Sequence, residues 1–98
     1  MTVYVSEMRK CLPNRRWPWA ENAYLVATTE AELREFAGRL GLFPRWIQRR
    51  GVLIHYGLTA GKRAAAIELG AREAKIAKLI RDARDGRLTL ATTRKGKP

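Results

Sequence analysis

The side chains with the most reactive chemistry are few. The chain holds one histidine, His55, and one cysteine, Cys11. A metal centre would need two or more further ligands around His55, and no Cys/His cluster has a usable spacing. A nucleophile paired with a base could in principle be built from Cys11 and His55. Cys11, however, lies in an undistinguished K-C-L-P, and His55 interrupts the apolar run V-L-I-H-Y, where a structural histidine is the plainer reading. Carboxylates for acid–base work are scarce. Glu7 follows a β-like segment, and Glu21, Glu30, Glu32 and Glu35 read as surface or capping residues. The T-A-G-K-R of residues 59–63 lacks the glycine spacing of a phosphate loop. These residues predict no catalytic set, no metal site and no cofactor.

Charge carries more information. Twenty Lys/Arg against nine Asp/Glu give a net charge of +11. Residues 61–98 hold eleven basic and four acidic side chains, a net +7, and residues 1–60 hold nine and five, a net +4. Such an excess attracts polyanions, with nucleic acid the commonest partner. Two segments add specific chemistry. Arg15, Arg16, Trp17, Pro18 and Trp19 interleave guanidinium groups with flat aromatic faces, a composition suited to phosphates and unpaired bases. The bland reading of Trp17 and Trp19 is loop anchoring, and neither reading prevails. Trp46, beside Arg45 and ahead of Arg49 and Arg50, repeats the theme, but anchoring on a small core is the favoured reading there.

The second segment runs from Lys62 to Arg81. Counting from Lys62, alanine is fifth (Ala66), leucine eighth (Leu69), glycine ninth (Gly70), isoleucine fifteenth (Ile76) and leucine eighteenth (Leu79). That spacing resembles a helix-turn-helix, which needs a small residue at the helix crossing, a turning glycine and branched apolar wedges. On this reading Arg72–Arg81 is the recognition helix. Arg72 and Lys75 face base edges or flanking phosphates, Lys78 and Arg81 contact phosphates, and Lys62 and Arg63 stand at the entrance of the pair. A plain structural α-hairpin gives the same pattern, and Asp82 and Asp85, one turn beyond Lys78 and Arg81, can neutralise part of that face.

The elements that would position these groups follow from periodicity and turn chemistry. Thr2–Val5 alternates as a strand. Ala23–Ala27 is continuously apolar, as a buried strand would be, and Val52–Tyr56 reads as a third. Thr29 is placed to cap a helix over residues 30–40, with Glu32 returning to the cap, and Leu33, Phe36, Ala37 and Leu40 form its inner stripe. Gly41 ends it. A turn of helix is expected over Pro44–Gln48, and two helices over residues 60–69 and 72–84, split by Gly70. The basic tail over residues 92–98 lacks apolar periodicity and is expected to be disordered.

A single cysteine excludes an internal disulfide and fits a reducing, cytoplasmic setting. No apolar run approaches the roughly 20 residues of a membrane helix, and the alternating start M-T-V-Y-V-S-E does not read as a signal peptide.

Several stretches together carry a family resemblance. M-T-V-Y-V-S-E-M-R, the T-x-A-E-L-x-x-x-A-x-x-L-G of Thr29–Gly41, Arg45-Trp46, and the H-Y-G-L-x-x-x-K-R-A-x-A of His55–Ala66 resemble a family of short bacterial and phage proteins grouped as a domain of unknown function. The likeness covers roughly residues 1–71. The family pattern implies acidic residues where Ser6 and Glu7 stand, histidine at Ile47 and aspartate at Gly57. An acid–His–acid group of that kind could bind a metal or act on phosphodiesters. Here it is reduced to His55 and Glu7.

The expectation is therefore one α+β domain over residues 1–91. It has a three-stranded, partly antiparallel sheet, a packed helix and a C-terminal helical hairpin over about 60–84. The expected function is non-catalytic nucleic-acid binding, DNA before RNA, through the helical pair and the Arg15–Trp19 segment. A symmetric homodimer would strengthen a single helix-turn-helix. The alternatives are an inhibitor docking its basic surface on a host protein, and a minimal metal-dependent nuclease built on His55 and Glu7.

Overall fold

The computed structural model describes residues 2–13, 15, 17–50 and 53–86, and of Arg49 and Arg50 only the backbone. The expected disordered tail (92–98) and Arg16 lie outside the described residues. Among the described residues, six strands and three helices follow one another as β1 (Val3–Val5), β2 (Arg9–Lys10), β3 (Glu21–Ala27), α1 (Glu30–Arg39), a 3-10 turn (Pro44–Trp46), β4 (Gln48–Arg50), β5 (Leu53–Leu58), α2 (Ala60–Glu68), β6 (Arg72–Glu73) and α3 (Ile76–Arg84). The fold class is α+β.

The sheet runs β4-β5-β3-β1-β6, with β2 also on β3. β1 and β5 are each antiparallel to β3, and β6 is parallel to β1. The three predicted strands are its centre. The three unpredicted ones are short and polar (R-K, Q-R-R and R-E). They lack the apolar alternation by which a strand announces itself, and their pairing is dictated by neighbours already in place.

Alternation along the three inner strands divides the interior into two layers, because successive side chains point to opposite faces. Val3, Val5, Ala23, Leu25, Ala27, Ile54, Tyr56 and Leu58 face one side, where they pack with Leu33, Phe36, Ala37 and Leu40 of the α1 region and Ala66 of α2. Val26 and Leu53 face the other, where they pack with Ile76, Leu79 and Ala83 of α3, flanked by Tyr4 and Tyr24. Helices α2 and α3 thus contribute to different layers, with the sheet between them.

This corrects the helical-pair expectation. The helix expected from Arg72 begins at Ile76, and the residues before it form β6. Tyr4 and Val5 pair with Arg72 and Glu73, so two residues of the expected recognition helix are an edge strand. Gly70 does turn the chain, at φ 109°, but into the sheet and not into a second helix.

Helix α1 matches expectation. Thr29 Oγ1 accepts from the Glu32 amide at 3.2 Å, and Gly41 takes φ 79° after the last turn. The return half of the capping box is not made through Glu32 Oε1, which is buried without a partner.

Candidate functional site

Topology gathers many of the chemically interesting residues at one end of the sheet. β1, β5 and β6 all run the same way, since β1 and β5 each oppose β3 and β6 parallels β1. At their carboxyl ends the chain leaves into β2 and the loop of residues 11–20, into α2, and into α3. α1 starts at the opposite end and returns, and its C-cap carbonyl at Leu40 accepts from Lys62 Nζ in the first turn of α2 at 2.6 Å. The 3-10 turn follows, and β4 then runs back antiparallel to β5.

The corner beside β1 is built by a bulge. Val5 pairs with Leu25 and Arg9 with Asn22, so three residues intervene on one strand and two on the other. At the break Ser6 donates its amide to Tyr24 O at 2.9 Å, and its buried Oγ accepts from the Tyr24 amide at 2.8 Å. The hydroxyl does the work of the strand carbonyl. That carbonyl has turned away and accepts from Arg63 Nε at 2.7 Å, while Arg63 also donates to Glu73 Oε1 at 2.8 Å.

Glu7, thrown outward by the bulge, accepts the Ile76 amide at 2.8 Å and caps α3 from a distant part of the chain. The local N-cap residue, Lys75, makes no side-chain cap bond. Partial burial works to raise the Glu7 pKa, but the Ile76 amide, its own amide and the charges of Lys75 and Arg9 outweigh that and hold it below the usual glutamate value.

His55 lies elsewhere. It is buried in mid-β5, stacked on Tyr24 at a centroid distance of 3.9 Å and 3° between planes. Its register places it two strands from β1, about 10 Å away laterally, and Glu7 lies past the end of that strand. The two residues left of the resemblance's acid–His–acid set are not brought together. Among the described residues no three His, Cys, Asp or Glu are grouped to hold a metal ion. At Gly57, where the family pattern implies aspartate, an added Cβ would meet the Trp17 ring at 3.3 Å.

The residues predicted to touch nucleic acid divide sharply. Lys62 closes α1, Arg63 clamps Ser6 and Glu73, and Lys78 pairs with Asp82 at 2.7 Å. Trp17 is an anchor, half-buried over Gly57 with its Nε1 donating to Glu21 O at 3.0 Å. Arg15, Trp19, Arg72, Lys75 and Arg81 are exposed, as Lys62 and Lys78 are despite their bonds. Trp46 departs from expectation: it is 47% exposed and packs on Phe43, not on the core.

Sequence reasoning missed three contributors. Lys10 and Leu12 line an open groove of about 810 Å³ with Trp19, Thr59 and Ala60. Phe43 lies under the Arg45 guanidinium at 4.6 Å. The signal for Phe43 was its place between Gly41 and Pro44, where a short turn tends to leave a large residue outside.

A small α+β architecture with a mixed sheet between helical layers, and a cationic, aromatic strand end, defines the class. The chain belongs to the family described as protein of unknown function (DUF4031), whose model matches residues 3–86. No curated protein and no solved structure matches it. Among the described residues no helix is long and apolar enough to cross a membrane.

Proposed function

We propose that this protein is a non-catalytic nucleic-acid-binding protein whose contact surface is the strand-end face, not the C-terminal helix. The observation that carries the reading is charge segregation along the sheet. Arg9, Lys10, Arg15, Arg39, Arg45, Lys62, Arg63 and Lys75 belong to elements at the carboxyl ends of β1, β5 and β6, against Glu7, Glu21 and Glu73. Glu30 and Glu32 start α1 and Glu68 ends α2, at the opposite end. A face with such a cationic excess raises the local concentration of a polyanion and speeds its encounter.

Affinity measured across salt concentrations tests this. Binding should weaken steeply with salt, and replacing Lys10, Arg15 and Arg45 together by Ala should lower the log–log salt slope by roughly 0.7–0.9 for each phosphate no longer neutralised. A larger drop from replacing Lys78, Arg81 and Arg84 together would return the interface to α3 and refute the assignment of the face. Docking on an acidic protein is a second reading, favoured by Leu12, which is 88% exposed beside Lys10. It requires a protein retained after nuclease treatment.

A further inference from the structure

We infer that the strand-end face takes a single strand, with unpaired bases stacked on Trp19 and on the Phe43–Trp46 pair. This deepens the nucleic-acid reading and rests on it. Five large apolar side chains are exposed among the described residues: Leu12, Trp19, Phe43, Trp46 and Leu69. All but Leu69 belong to loops at the cationic end. Three of those four are aromatic, at 51% exposure for Trp19 and 47% for Phe43 and Trp46. Exposed aromatic rings surrounded by cations suit a ligand that presents flat apolar faces and negative charge together.

Both platforms are held in place before any ligand arrives. Trp17 sits on Gly57 and meets Trp19 edge-on, with centroids 4.8 Å apart and 65° between planes. Trp19 is thus propped from beneath by an anchored ring while half its surface faces solvent. Beyond the end of α1, Arg45 covers Phe43, and Trp46 leans on Phe43 at 4.6 Å and 50°. Lys62 ties that turn to the end of α1, just ahead of Phe43. Side chains already ordered lose less entropy on binding.

The choice of a single strand over a duplex follows from base geometry. In a duplex both faces of nearly every base are covered by neighbours, so a side chain can stack only after unstacking a step, at a cost of a few kcal/mol. A flexible strand can offer a base to Trp19 and another to Trp46 while its phosphates lie along Lys10, Arg15 and Arg45. DNA and RNA share that chemistry.

The test is tryptophan fluorescence titration of the full chain with oligo-dT and oligo-U of about 12 nucleotides, and with a duplex of equal length. Single strands should quench the emission and bind more tightly than duplex. Trp19→Ala and Trp46→Ala should each weaken single-strand binding about tenfold with the salt slope unchanged, a stacking-sized loss. Trp19→Phe, which keeps a ring, should recover most of the affinity. Thermal melts of each variant should match the parent, because both side chains are exposed. If the Trp variants bind within about twofold of the parent while the Lys10, Arg15 and Arg45 change weakens binding, phosphate contacts suffice and the stacking inference falls alone. Tighter binding of duplex than of single strand also overturns it. Failure of the parent chain to bind any oligonucleotide at low salt overturns it together with the function on which it rests.

Discussion

Two cationic stretches of this molecule use their charges differently. In the segment from Lys62 to Asp85 three of the seven basic side chains are engaged, while Arg72, Lys75, Arg81 and Arg84 are exposed: Lys62 closes a helix, Arg63 joins α2 to Ser6 and β6, and Lys78 pairs with Asp82. At the strand end Lys10, Arg15 and Arg45 are exposed, and no carboxylate of the described residues pairs with them. The difference lies in geometry more than composition. A helix returns to the same face every three or four residues, so Lys78 meets Asp82 one turn on. A loop has no such return, and among the described residues even Glu21, opposite Lys10 in the β2–β3 ladder, makes no ion pair with it.

The comparison can be broken at several points. The largest effect is expected inside α3. Leu79 is fully buried against the sheet, so Leu79→Ala should cost roughly 2–5 kcal/mol in denaturant unfolding. The fraction that remains folded should bind oligonucleotide as the parent does. A variant of ordinary stability that fails to bind would mean α3 carries part of the interface after all.

A smaller effect is expected at the link between the regions. Glu7→Ala removes the cap on α3 and should cost about 1 kcal/mol. Because the folded Glu7 pKa is held below its unfolded value, its contribution is present above the usual glutamate pKa of about 4.3. It should fade as pH falls through that value and below it. Unfolding midpoints of parent and variant should therefore differ at neutral pH and converge in acid; a constant gap would show that Glu7 acts through packing and not through its charge.

The smallest effect is expected on the outer face of α3. Arg81 and Arg84 are exposed, and replacing both by Ala should change stability by no more than about 0.5 kcal/mol and binding only slightly. A drop in affinity matching that of the Lys10, Arg15 and Arg45 change would erase the contrast between the two regions.

The candidate face was partly legible. The Arg15–Trp19 composition pointed to it, but Trp17 and Trp19 could not be told apart until Gly57 was found beneath one of them. Trp46 was read as an anchor because a small core needs large residues. The core instead closes with Leu40, Leu42, Ile54 and Tyr56, leaving Trp46 to Phe43. The helix-turn-helix spacing misled for a related reason. Ala66, Ile76 and Leu79 are buried as the motif requires, but two layers of sheet packing bury the same positions as one helix crossing.

Local chemistry settled what depends on near neighbours in the chain: the α1 cap and its inner stripe, the turning glycines at 41 and 70, the three central strands and the excess of positive charge. Tertiary structure alone decided what depends on partners distant in sequence. Strands β2, β4 and β6 exist because a neighbour offers a ladder, Ser6 and Glu7 act on residues 18 and 69 positions away, and α2 and α3 lie on opposite faces because β6 carries the chain across the sheet edge. Periodicity reports which face of an element is apolar; which surface covers that face is fixed only when every other element has packed.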